Sequence, residues 1–151
     1  MHRWTAAAMM ALLGAVLFAA FVLQDIRLLS KDAAGDLPWG LILRYGGAMT
    51  LGGALAGYLF SGLFGRSGIM GWCLTLISGL IVAAVAGALG SAFGLLPDAL
   101  TTGFGTKQMI EIAAGLLILP LALIEEPWLI IVVAALLVIT HLRCSVQRQN
   151  T

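Results

Sequence analysis

Four long apolar stretches, separated by short polar segments, dominate the chain. They cover residues 5–23, 41–64, 69–96 and 110–142. A helix needs ~20 predominantly apolar residues to cross the ~30 Å hydrocarbon core of a bilayer, and each stretch meets that length. The chain is 61% hydrophobic and 10% charged, whereas soluble domains have about 45–50% apolar and about 25% charged residues. The pattern therefore predicts an all-α integral membrane protein, with residues 1–151 forming a single transmembrane domain.

Glu125, Glu126 and Pro127 interrupt the last stretch near its middle. A single helix over its 33 residues would be about 50 Å long and would place both carboxylates deep in the bilayer, at a cost of at least ~2.5–3.5 kcal/mol each. Pro127 lacks a backbone donor and is tolerated at the start of a helix. The sequence therefore predicts a turn here and two short spans. A re-entrant helical hairpin over residues 108–142 is the alternative, and both versions place the C-terminal tail on the same face as Lys107.

The predicted elements are thus five short transmembrane helices, over about residues 5–23, 41–64, 69–96, 108–124 and 127–142. Residues 24–38 are predicted to form a short surface helix that ends in a turn at Gly35 and Pro38. Pro97 and the glycine-containing segment after it are predicted to end the third helix. The N-terminal stretch is interpreted as a retained span rather than a cleaved signal peptide.

Five crossings divide the basic residues six to two between the faces of the membrane. Arg3 and Arg66 would share one face with the turn at Glu126, and the other six basic residues would lie opposite. Basic residues in short loops mark the cytoplasmic side. This predicts a cell inner (plasma) membrane protein with its N-terminus outside and its C-terminus in the cytoplasm. Four crossings would divide the same residues four and four and give no orientation.

Small residues recur every fourth position in the second and third predicted helices. Such residues let two helix backbones approach closely in lipid. We expect them to pack the second helix on the third, in preference to forming a dimer interface. The predicted packing residues are Gly53, Gly57, Ser61, Gly79, Ala83 and Gly87.

Charged residues inside apolar segments are the candidates for interaction or transport. Arg44 and Glu111 lie about one turn inside the predicted cytoplasmic boundary. Lys107 could neutralise Glu111 along the helix, or Arg44 could pair with Glu111 between helices. Glu125 and Glu126 are interpreted as solvated turn residues, with a cation-binding or partner-docking patch as the alternative.

No motif of a hydrolase, protease or nucleotide-binding protein occurs in the chain. Cys73 and Cys144 are isolated, and the five-span topology places His2 and His141 on opposite faces, which would prevent them from sharing a haem. The sequence thus predicts neither an enzyme nor a metal, cofactor or nucleic-acid binder. It favours a non-catalytic accessory or assembly subunit of a bacterial-type inner-membrane complex, whose partners are other membrane subunits, a second copy or lipid. A small oligomeric transporter or channel subunit is the alternative.

Overall fold

The computed structural model describes residues 2–28 and 39–149, and these residues are helical without a β-strand. A 3₁₀ helix, Phe60–Leu63, follows the second of the α-helices. The α-helices are α1 (His2–Leu28), α2 (Trp39–Leu59), α3 (Gly68–Thr102), α4 (Thr106–Gly115), α5 (Ile118–Glu125) and α6 (Leu129–Gln149). The predicted turn at Gly35 and Pro38 lies outside the described residues.

Among the described helices, α1, α3 and α6 are long and apolar enough to cross a membrane. The bent pair of α4 and α5 would add a fourth crossing if it formed one span. These helices are consistent with an integral membrane protein, but the predicted count of five is not confirmed. The second predicted span, α2, does not meet the same criterion, because its six glycines and Arg44 lower its hydropathy.

The first two helices form a tight antiparallel pair. A Cβ at Gly14 would lie 2.5 Å from the carbonyl oxygen of Met49, and a Cβ at Gly53 would collide with the carbonyl of Met10. In both pairs the residue numbers sum to 63, so the two contacts belong to one register. Glycine at these positions lets the backbones touch, which supplies the close packing that stabilises helix pairs in lipid.

Two further antiparallel pairs place α3 at the centre of the fold. On one side Gly90 lies against Met49 of α2. On another side a Cβ at Gly79 would lie 2.5 Å from a methyl group of Leu137 in α6. The carbonyl of Gly87 lies 2.6 Å from a Cβ built at Gly115, the last residue of α4.

The predicted packing of the second helix on the third is present, with Gly52 against Ala86, but four of the six named small residues face other helices. Gly53 and Gly57 face α1, while Gly79 and Gly87 face α6 and α4. Ser61 and Ala83 are buried. Sequence spacing correctly marks residues that can approach another backbone, but each of these helices has several neighbours, and spacing does not say which neighbour is met.

The third helix continues past Pro97, where the sequence predicted its end. It stops at Thr102, and the N–H of Gly103 donates to the carbonyl of Ala99 over 2.9 Å. Gly103 has a φ of +83° and a ψ of 163°, an extended backbone conformation of positive φ that glycine adopts without strain. Glycine rather than proline thus ends this helix.

The predicted break at Glu125 to Pro127 is present, since α5 ends at Glu125 and α6 begins at Leu129. A second break, which the sequence did not predict, separates α4 from α5 at residues 116–117 and bends the chain by 66°. Its cause is local: the N–H groups of Leu116 and Leu117 bond to carbonyls three residues back, and Leu117 leaves helical geometry at φ −94° and ψ 7°.

The last helix brings its end back to the start of the chain, which corrects the predicted topology. The thiol of Cys144 donates to the carbonyl of His2 over 3.8 Å, and the hydroxyl of Thr5 donates to the side-chain oxygen of Gln147 over 3.0 Å. We call this side of the bundle the Gly65 end, because it also holds the link from the 3₁₀ helix to α3. The start of α2, the end of α3 and the start of α4 form the opposite, Trp39 end.

The C-terminal helix therefore ends beside His2 and away from Lys107, contrary to the sequence prediction that the tail shares a face with Lys107. The predicted opposite placement of His2 and His141 is wrong for the same reason. With both described chain ends together, the basic residues within 2–28 and 39–149 divide four to three rather than six to two. Arg3, Arg66, Arg143 and Arg148 belong to the Gly65 end, and the charge rule no longer supports the predicted orientation.

Candidate functional site

A pocket of about 690 Å³ opens at the Gly65 end, between the link before α3 and the last two turns of α6. It lies where two segments of the chain, residues 65–72 and 141–149, meet, and most of its lining residues are polar. We call it the polar pocket. It is lined by Gly65, Arg66, Ser67, Trp72, His141, Leu142, Ser145, Arg148 and Gln149.

The link reaches α6 because Gly65 has no side chain. Its φ is +70°, and a Cβ there would lie 2.5 Å from the backbone of Cys144. Any other residue would be strained at this φ, and its Cβ would collide with the backbone of α6 unless one of the two segments moved. Gly65 thus fixes one wall of the polar pocket against α6.

His141 forms the buried wall of the pocket and is only 5% exposed. Its ring stacks on Trp72 with centroids 4.1 Å apart, and its Nδ1 lies 2.7 Å from the hydroxyl of Thr75. That hydroxyl is also 2.9 Å from the carbonyl of Gly71, to which it donates. Since a hydroxyl has one hydrogen, the imidazole then donates from Nδ1, which leaves Nε2 as an acceptor.

Two arginines converge on one carbonyl at the rim of the pocket. Arg148 donates to the oxygen of Gly62 over 2.7 Å, and Arg66 donates to the same oxygen over 3.2 Å. Both guanidinium groups therefore lie close to a single neutral acceptor. The two guanidinium groups bring positive charge and N–H donors to this rim, and such groups bind carboxylates well.

Four predicted interaction residues lie outside this pocket and are not brought together. Arg44 donates to the carbonyl of Gly94 at the Trp39 end. Glu111 lies 3.9 Å from the ammonium of Lys107 one turn earlier, in an ion pair exposed to solvent. The structure therefore contains the pair along the helix rather than the Arg44 to Glu111 pair between helices.

Glu125 and Glu126 lie where α5 ends and the turn to α6 begins. Trp128 donates from its indole nitrogen to the carboxylate of Glu126 over 2.7 Å. Glu125 is exposed. Among the described residues no group of three or more His, Cys, Asp or Glu side chains is arranged to hold a metal ion.

Sequence reasoning missed His141, Trp72 and Arg148 as members of one site. The available signal was weak: Thr75 and His141 are polar residues just inside the same ends of two apolar helices, in the positions that meet if those helices run antiparallel. The five-span prediction made α6 run in the wrong direction and hid this pairing.

Neither a protein-family model, nor a curated protein, nor a solved structure matches the chain significantly.

Proposed function

We propose that the protein is a non-catalytic accessory or assembly subunit of a bacterial-type inner-membrane complex, and that it holds its partner through the polar pocket. The observation that carries the proposal is the convergence of Arg66 and Arg148 on the carbonyl of Gly62. An acidic segment of a partner, presented at the membrane surface, would bring carboxylates that accept bidentate bonds from guanidinium groups.

The way in which buried polar groups are used also favours a packing role. Ser78 and Thr140 donate to carbonyls of their own helices, at 2.7 and 2.6 Å. Thr75 and His141 satisfy one another. The three hydroxyls thus bond inside the protein, and of the polar atoms named here Nε2 of His141 is the one left as an acceptor in the pocket wall.

The proposal is tested by purifying the tagged full-length protein in mild detergent and identifying what accompanies it. Arg66→Glu reverses one charge at the pocket rim, and we expect it to reduce recovery of the partner about tenfold or more, as expected for a lost charge-assisted bond of ~1.5–3 kcal/mol. Arg143→Glu is the matched control, because Arg143 is an exposed arginine of the same end that does not line the polar pocket. Recovery of the wild-type protein alone, even after crosslinking, would contradict the proposal.

A small oligomeric transporter or channel subunit is the second candidate, and the bend between α4 and α5 is what favours it. Interrupted helices line the binding sites of many transporters. Its test is flux through vesicles that contain the protein, with Glu111→Gln as the variant. If the vesicles pass no anion or cation above the protein-free level, this candidate should be dropped.

A further inference from the structure

An apolar groove of about 620 Å³ runs along the outside of the pair formed by α2 and α3. Residues 44–55 of α2 form one wall, and residues 89–97 of α3 form the other. Leu51, Leu55 and Phe93 are exposed along it. Gly47 keeps part of its floor flat, since a Cβ there would meet nothing within 4 Å.

The groove has a charged end and an apolar end. Arg44 lies at the end near Trp39, and Leu55 lies 11 residues further along the same helix. At 1.5 Å per residue this separation is about 16 Å, which is close to half of the ~30 Å hydrocarbon core. The groove therefore has the length of one leaflet, with its charge at the depth of the leaflet surface.

Arg44 is held in place but is not neutralised. One terminal nitrogen donates to the carbonyl of Gly94, and the guanidinium carbon lies 5.8 Å from the ring centre of Tyr45. The Nε atom is buried without a hydrogen-bond partner. Among the side chains that the structure describes, no carboxylate pairs with this arginine. A charge at the edge of an apolar groove is costly unless an anion accompanies it.

We infer that this groove binds one anionic phospholipid from the leaflet at the Trp39 end, with an acyl chain along α2 and α3 and the phosphate on Arg44. The chain supplies apolar contact over the length of the groove, and the phosphate supplies the missing counter-charge. Basic pockets between membrane helices recognise anionic head groups by this combination of charge and depth. The inference concerns the opposite end of the bundle from the polar pocket and does not depend on the proposed partner.

The test is native mass spectrometry of the full-length protein in mild detergent, titrated with phosphatidylglycerol or phosphatidylcholine that carries the same acyl chains. We expect phosphatidylglycerol to bind about tenfold more tightly. Arg44→Gln should reduce that ratio to about one, and Arg44→Lys should retain most of it. An unchanged preference in Arg44→Gln would overturn the inference.

A second pair of variants tests the groove itself and remains informative if Arg44→Gln fails to fold. Gly47→Leu places a side chain into the groove and should weaken both lipids about tenfold. Gly40→Leu is the matched control, because its added side chain also meets open space on the same helix but lies outside the groove. Equal effects of the two substitutions on lipid binding would contradict the inference. It would also be contradicted if inorganic phosphate displaced the lipid, or if the wild-type protein formed a dimer that Gly47→Leu abolished.

Discussion

At the scale of single residues, the molecule uses its polar side chains in two distinct ways. Most buried hydroxyls bond to the carbonyl four residues earlier in their own helix, as Ser78 and Thr140 do. Such bonds satisfy the hydroxyl without linking elements. Thr75 is different, because its hydroxyl also meets His141 on another helix.

The bond between Thr75 and His141 joins two helices, so we expect it to contribute more to the free energy of unfolding than the bond that Ser78 makes within its own helix. Thr75→Val leaves the buried imidazole nitrogen without a partner, which costs ~1–3 kcal/mol in free energy of unfolding. Ser78→Ala, the control, should cost less, because it removes a buried hydroxyl that bonds only within its own helix. The measurement is reversible unfolding in mixed detergent micelles, and equal losses for the two variants would contradict a linking role for Thr75.

At the scale of helices, the sequence predicts well where apolar segments lie and poorly how they end and pair. The predicted second and third helices overlap α2 and α3, because hydropathy is an average over many residues. The end of α3 was missed because it depends on the backbone conformation of Gly103, and the bend at Leu117 depends on a single unusual pair of torsion angles. Neither the end of α3 nor this bend can be read from the mean hydropathy of a window of residues.

Contacts within one helix were predicted from the sequence, whereas contacts between distant segments, which form the polar pocket, were not. The pair of Lys107 and Glu111 was predictable because it is local, four residues apart on one helix. The polar pocket joins residues 65–72 to residues 141–149, and nothing local relates them. Its prediction required the direction of α6 relative to α3, which the predicted five crossings assigned incorrectly.

At the scale of the whole molecule, the height of the turn at Glu126 determines how the chain relates to the bilayer. Thr75 faces His141 and Gly79 faces Leu137. Facing residues of this antiparallel pair have numbers that sum to 216, so Leu129 lies beside residue 87. Gly115 also lies beside Gly87. Arg44 donates to the carbonyl of Gly94, and from residue 87 to Gly94 is seven residues, or about 10 Å of helix. From Gly68 to residue 87 is 19 residues, or about 28 Å, so the turn lies much nearer to the level of Arg44 than to that of Gly68.

We therefore propose that α6 alone makes the last crossing and that the turn carboxylates lie at the Trp39 surface, where Trp128 marks the boundary. Reporter fusions should place the C-terminus and the link at Arg66 on one side of the membrane, and Glu126 and Lys107 on the other. A reporter at Glu126 on the same side as one at Arg66 would exclude this arrangement.

The closure of α6 on the start of α1 also sets an order of events during synthesis. The close contacts of α1 with α2 need only the first 59 residues, whereas its contacts with Cys144 and Gln147 need almost the whole chain. At ~5–20 residues per second, the remaining 90 or so residues take about 5–18 s to emerge. Throughout that interval the newly inserted hairpin lacks its final neighbour, so its face toward α6 stays exposed to lipid until α6 has been made.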